Sequence, residues 1–216
     1  MLTETSLPYG ITSRDYLRRA LARLEEKSLE SIFYAAFELR CGIEARMQEY
    51  LEAWNHVPEN RKKNWSIPKL GRSIEAAFQL GNSVVRFAVH AGDSDGLLAC
   101  FYHTPVSKEL KSQGEKLGNL LHAAKRPRAN DDPWWATVRK DLAEITAALR
   151  TANTGTLLGP PLIEPGTGHL MLNSEIPPGH DLASLMEPGY RGRLDVSYPP
   201  SLPDPLESEA VFSRLE

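Results

Sequence analysis

Arg40 and Glu44 stand one helical turn apart, beside Phe33 and Phe37, on one flank of a long run with helical apolar spacing. An arginine held on a helix face offers a planar fork to phosphate oxygens or to developing phosphorane charge, a task lysine performs less well. The same pair suits a partly buried bridge that fixes helix register. Arg before Glu is the less favourable order for an exposed pair, which points to a place inside a bundle. Farther along, KLGNLLHAAKRPR (116–128) closes a leucine pattern with His122 and then the cations Lys125, Arg126 and Arg128. A histidine titrates near neutral pH and can act as general acid or base. At a helix C-terminus it can also serve as a cation bonding free carbonyls. The three cations make either a solvated helix end or a phosphate-contacting patch, with Trp134 and Trp135 just beyond them.

Other arrangements carry less chemistry. Cys100 and His103, with His90 across a turn, lie in β-rich runs where positions three apart face opposite sides of a sheet, the wrong geometry for one ion. His180 and Asp181 form an HD dipeptide, but in a Pro/Gly-rich tail rather than on packed helices bearing further ligands. GxxxxGK[ST], GxGxxG after a strand, GxSxG, HExxH and paired CxxC are all missing. No metal and no cofactor is expected. The 216 residues are 41% hydrophobic, enough to bury one good core. A net charge of −3 provides no global field for nucleic acid, so any such contact needs a local basic patch. Cys41 and Cys100 cannot make a disulfide framework and suit buried thiols in a reducing compartment. MLTETSLPYG has neither a basic start nor an apolar run, and no stretch approaches the roughly 18 apolar residues of a membrane span. The expectation is a cytoplasmic protein with no membrane partner.

The elements that would position these residues follow from periodicity and caps. Residues 12–54 read as one long helix or two joined near Ser28, with Thr12 or Ser13 capping and Ile32, Ala36, Leu39, Ile43, Met47, Tyr50 and Trp54 on one stripe. Residues 55–65 read as a polar loop, and Pro68 opens a short helix to about Leu80. SVVRFAVH and LLACFYHT then predict a β-hairpin at about 83–104. Ser107 caps a helix in which Gly114 and Gly118 each cost about 1 kcal/mol relative to Ala, a sign of close helix contact. Asp131 or Asp132 caps a last helix with Pro133 in its first turn and Trp135, Val138, Leu142, Ile145 and Leu149 on its buried face. After Asn153 the chain turns Pro/Gly-rich, with short strands expected at about 156–163, 169–173 and 191–198. The predicted fold is mainly α: a bundle of four to five helices with an inserted β-hairpin over 1–152, and a small β or irregular appendage over 153–216.

FYAAFELRCGIEARMQEYL (33–51) followed by KLGNLLHAAK (116–125) resembles the HEPN-type helical bundles, in particular bacterial members near abortive-infection and toxin proteins, over about residues 13–151. The resemblance implies a bundle of four or five helices, often dimeric, acting in bacterial defence or toxin systems. Catalytic members are metal-independent ribonucleases with an Arg, four to six residues, then a His, the His acting on a ribose 2′-OH and the Arg on phosphorane charge. This chain departs from that motif. Arg86 precedes His90 by too few residues and in a strand, and no Arg stands at that distance before His122. A substitute site would have to assemble from Arg40, His122 and Arg126 by folding. The resemblance without the motif implies a non-catalytic interaction or RNA-binding subunit of a defence or toxin–antitoxin system, a homodimer with a protein partner and RNA as a further ligand. Two alternatives stand beside it: a ribonuclease using Arg40, Glu44 and His122, and a structural homo-oligomer packed through Gly114 and Gly118.

Overall fold

The computed structural model describes residues 9–55, 57–91, 97–122, 127–157, 159 and 192–203. Caps decide where its helices begin. Thr12 Oγ1 accepts from the Asp15 amide at 3.2 Å while the Asp15 carboxylate accepts from the Thr12 amide at 3.2 Å, a reciprocal box that starts α1, Ser13–Glu25. Lys27, in left-handed backbone at φ 57°, turns the chain, and the Ser28 hydroxyl accepts from the Ser31 amide at 3.0 Å to start α2, Leu29–Glu52. The long helical run is therefore two helices with the break at Ser28. All of the predicted stripe from Ile32 to Trp54 is buried. A single turn, α3 (Glu59–Lys62), interrupts the expected loop. Then α4 (Ile67–Phe78) carries Pro68 in its first turn and closes on Gln79 at φ 54°.

The hairpin forms as expected: β1 (Val85–Ala91) pairs antiparallel with β2 (Leu97–His103), with Phe87 opposite Phe101 and Ala88 opposite Cys100. Next, α5 (Lys108–Leu121) is capped by Ser107, whose hydroxyl accepts from the Leu110 amide at 3.1 Å. Asp132 Oδ1 accepts from the Trp134 amide at 2.9 Å at the start of α6 (Trp134–Thr154). From the C-terminal extension, β3 (Gly192–Ser197) pairs antiparallel with β1, so the sheet order is β2-β1-β3. Thr156 makes an isolated parallel bridge to His103. The expected strand at 169–173 and the His180–Asp181 dipeptide lie outside the described residues. The architecture is mainly helical, a bundle around α2 with a small antiparallel sheet. No helix among the described residues is long and apolar enough to cross a membrane.

A buried polar knot ties sheet to bundle. Arg46, 4% exposed, donates from Nε to the Ala152 carbonyl at 3.0 Å and from Nη2 to the Gly155 carbonyl at 2.6 Å. It also pairs with Glu49 at 3.2 Å and lies 4.6 Å from the Tyr50 ring centre. The Thr104 hydroxyl donates to the Ala152 carbonyl and accepts from the Gly155 amide, each at 2.9 Å, and the Tyr50 hydroxyl donates to the Thr104 carbonyl. These bonds satisfy the carbonyl end of α6 where burial would otherwise leave it unpaired.

Candidate functional site

Arg40 and Glu44 do pair, at 3.2 Å from Nε to Oε1, on the face of α2 that meets α5. Arg40 Nη1 donates to the Gly114 carbonyl at 3.2 Å. A Cβ at Gly118 would lie 2.8 Å from that same Nη1, and a Cβ at Gly114 would lie 2.8 Å from Ile67 Cδ1 and 3.0 Å from Ile43 Cδ1. The two glycines thus admit a guanidinium and an isoleucine from α2 and, at Gly114, an isoleucine from α4. Their close approach is made within this chain. Partial burial pushes the Glu44 carboxyl up, against the opposing pull of Arg40. Arg40 is engaged as a bridge between helices.

His122 ends α5 with extended backbone (φ −78°, ψ 156°) and is exposed. It lies four residues past Gly118, where α5 meets Arg40, and beyond the last helical residue, Leu121. Its imidazole makes no hydrogen bond, ion pair or ring contact with a described residue, Arg40 included. Arg128 pairs with Asp132 at 3.3 Å and lies 4.1 Å over the Trp134 ring. Trp134 meets Trp135 edge-on at 4.8 Å, Trp135 Nε1 donates to the Ala129 carbonyl at 2.8 Å, and Phe33 packs on Trp135 at 6.0 Å. These tryptophans wall the connection into α6 and already hold Arg128. Lys125 and Arg126 lie outside the described residues. Of the residues weighed as metal ligands, Cys100 and His103 are buried three positions apart on β2, and His90 Nε2 lies 3.3 Å from Asp195 of β3.

An exposed cationic surface lies across residues 61–72, a stretch that the sequence divides between the polar loop and the short helix opened by Pro68. RKKNWSIPKLGR (61–72) holds five cations and no carboxylate. Lys62, 7% exposed, lies between Glu59 (3.2 Å) and Glu52 (3.6 Å), which pins α3 to the end of α2. Gln48 Nε2 donates to the Asn64 carbonyl at 2.9 Å and holds the following turn. Lys69, Arg72, Ser73 and Ala76 share one face of α4 by their three- and four-residue spacing. Together with Arg61 and Asn64 they line a surface concavity of about 350 Å³. Arg61, Lys69 and Arg72 are exposed, and none forms an ion pair among the described residues. The nearby carboxylates are engaged elsewhere: Glu52 and Glu59 on Lys62, while Glu75 acts on Lys111, opposing the burial that pushes that amine down. Trp65 follows Asn64 and is 76% exposed.

Such a surface can neutralise phosphate oxygens and offer one ring to a flat partner. The sequence signal for it is a run of cations beside a tryptophan, which straddles the polar segment 55–65 and the first turns of the predicted helix. No protein-family model, curated protein or solved structure matches the chain.

Proposed function

We propose that this chain is a non-catalytic, HEPN-like helical-bundle subunit that binds RNA through the concavity between α3 and α4. The observation that carries the reading is the group of three cations, Arg61, Lys69 and Arg72, gathered around one hollow without a carboxylate partner among the described residues. Cations held free of internal pairing are available to displace counterions from a phosphate backbone, the main source of nucleic-acid affinity. The reading without cleavage is supported by Arg40, whose fork is occupied by Glu44 and the Gly114 carbonyl. The bacterial defence or toxin–antitoxin setting, the protein partner and the homodimer belong to the same proposal and rest on the resemblance of 33–51 and 116–125.

The test is fluorescence anisotropy with a mixed-sequence RNA across a salt series, for the native protein and an Arg61→Ala/Lys69→Ala/Arg72→Ala variant, beside an RNA integrity assay in EDTA. Three phosphate contacts predict a log–log salt slope of about −2 on single strands, lost with the triple substitution. The RNA stays intact. Binding indifferent to the three substitutions would remove the reading. Cleavage abolished by His122→Ala and by Arg40→Ala would replace it with a ribonuclease.

A further inference from the structure

We infer that this surface takes single-stranded RNA and stacks one unpaired base on Trp65, an inference that rests on the RNA-binding reading above. The indole is 76% exposed and makes no ring or cation contact with a described residue. The other three tryptophans are occupied: Trp54 is buried against Phe78, and Trp134 and Trp135 pack on each other. Trp65 is not on a slack segment. Lys62 and Ile67 are buried on either side of it, the Asn64 carbonyl is held by Gln48, and the Ser66 carbonyl accepts from the Leu70 amide at 2.9 Å. The chain is anchored before and after the one residue whose apolar side chain faces water. A rigid exposed ring loses little freedom on meeting a flat partner.

The charge of the adjoining hollow, lined by Asn64 just before Trp65, selects the partner's chemistry. Lys69 and Arg72, three residues apart on α4, are separated by about 4.5 Å along the helix axis and present two cations to one stretch of backbone. Arg61 faces them from α3 across the same hollow. Bases of a duplex are stacked on one another and hide their faces, whereas a single strand can swing a base out onto an aromatic ring while its phosphates follow the cations. An anionic membrane also attracts basic, tryptophan-bearing surfaces, but insertion needs a broad apolar face. On α3, on α4 and between them Trp65 is the one large apolar residue exposed.

The experiment measures binding of a 12-nucleotide single-stranded RNA, the matching RNA duplex and an abasic strand of the same length. The proteins are the native chain, Trp65→Ala, Trp65→Phe and the Arg61/Lys69/Arg72 triple-alanine variant, with circular dichroism confirming the fold of each. The native protein prefers the single strand over the duplex. Trp65→Ala weakens the single strand by about 5- to 150-fold, the range one base–aromatic stack provides, and leaves the abasic strand unchanged. Trp65→Phe keeps most of the affinity and abolishes the quenching of indole fluorescence by RNA. Equal binding of strand and duplex, or a Trp65→Ala variant that binds the strand as well as the native chain, overturns the stacking inference. If the triple variant still loses all RNA in that case, the RNA-binding reading survives. Failure of the native protein to bind any RNA removes both. Trp65-dependent binding to phosphatidylserine vesicles without RNA binding reassigns the surface to lipid and also overturns the inference.

Discussion

Two glycines four residues apart on α5 should respond differently to the same substitution. At Gly118 a new Cβ would sit 2.8 Å from Arg40 Nη1, the free end of a long side chain that is 25% exposed. Arg40 can swing away, at the loss of its bond to the Gly114 carbonyl, about 0.5–1.5 kcal/mol. The helix gains about 1 kcal/mol from exchanging Gly for Ala, so Gly118→Ala should stay within about 1 kcal/mol of the native protein. At Gly114 the new Cβ would meet Ile67 Cδ1 at 2.8 Å and Ile43 Cδ1 at 3.0 Å, and both isoleucines are 0% exposed. Neither can retreat into solvent. Overpacking of this kind costs about 1–3 kcal/mol, against the same gain of about 1 kcal/mol in helix propensity. Gly114→Ala should therefore be the less stable of the two by about 1–2 kcal/mol. Equilibrium unfolding in urea checks this: with a slope of about 2 kcal/mol per molar, the two midpoints should differ by about 0.5–1 M at unchanged slope. A Gly114→Ala midpoint equal to or above that of Gly118→Ala would refute the reasoning that α5 is fitted to α2 through Gly114.

Arg46→Ala should cost about 1–3 kcal/mol, because the Gly155 carbonyl loses its donor in a buried site, while the Ala152 carbonyl keeps the Thr104 hydroxyl. A loss below 1 kcal/mol in thermal or urea unfolding would show that the knot does not fasten the end of α6. Glu44 has its carboxyl pushed above the ordinary range, chiefly by burial, so the folded state holds that proton more tightly than the unfolded chain does. Its contribution is present at low pH and declines as pH rises through the folded value. Glu44→Gln should accordingly gain melting temperature relative to the native protein between pH 4 and pH 7, and the opposite trend would mean that the Arg40 bridge outweighs the burial.

Much of this fold is sequence-local chemistry. Thr12, Ser28, Ser107 and Asp132 satisfy amides two or three residues away, so their types and spacing announce the helix starts without reference to the rest of the chain. The buried stripe of α2 and the hairpin strands follow from periods of 3.6 and 2. The break at Ser28 was visible as one of two possibilities, and the left-handed Lys27 settles it. What the folded chain alone decided is which charges meet. Arg40, Arg128 and Lys62 are as cationic in the sequence as Arg61, Lys69 and Arg72. The first three are engaged by Glu44 and the Gly114 carbonyl, by Asp132 and Trp134, and by Glu52 and Glu59. The other three are left facing water across a hollow between α3 and α4. Likewise β3 reaches β1 across about a hundred residues, and Arg46 finds the carbonyls at the end of α6. A cap or a hydrophobic period is a property of neighbours along the chain. The pairing of a cation depends on which carboxylate, carbonyl or ring the tertiary packing sets within a few ångströms of it, and residue order does not contain that distance.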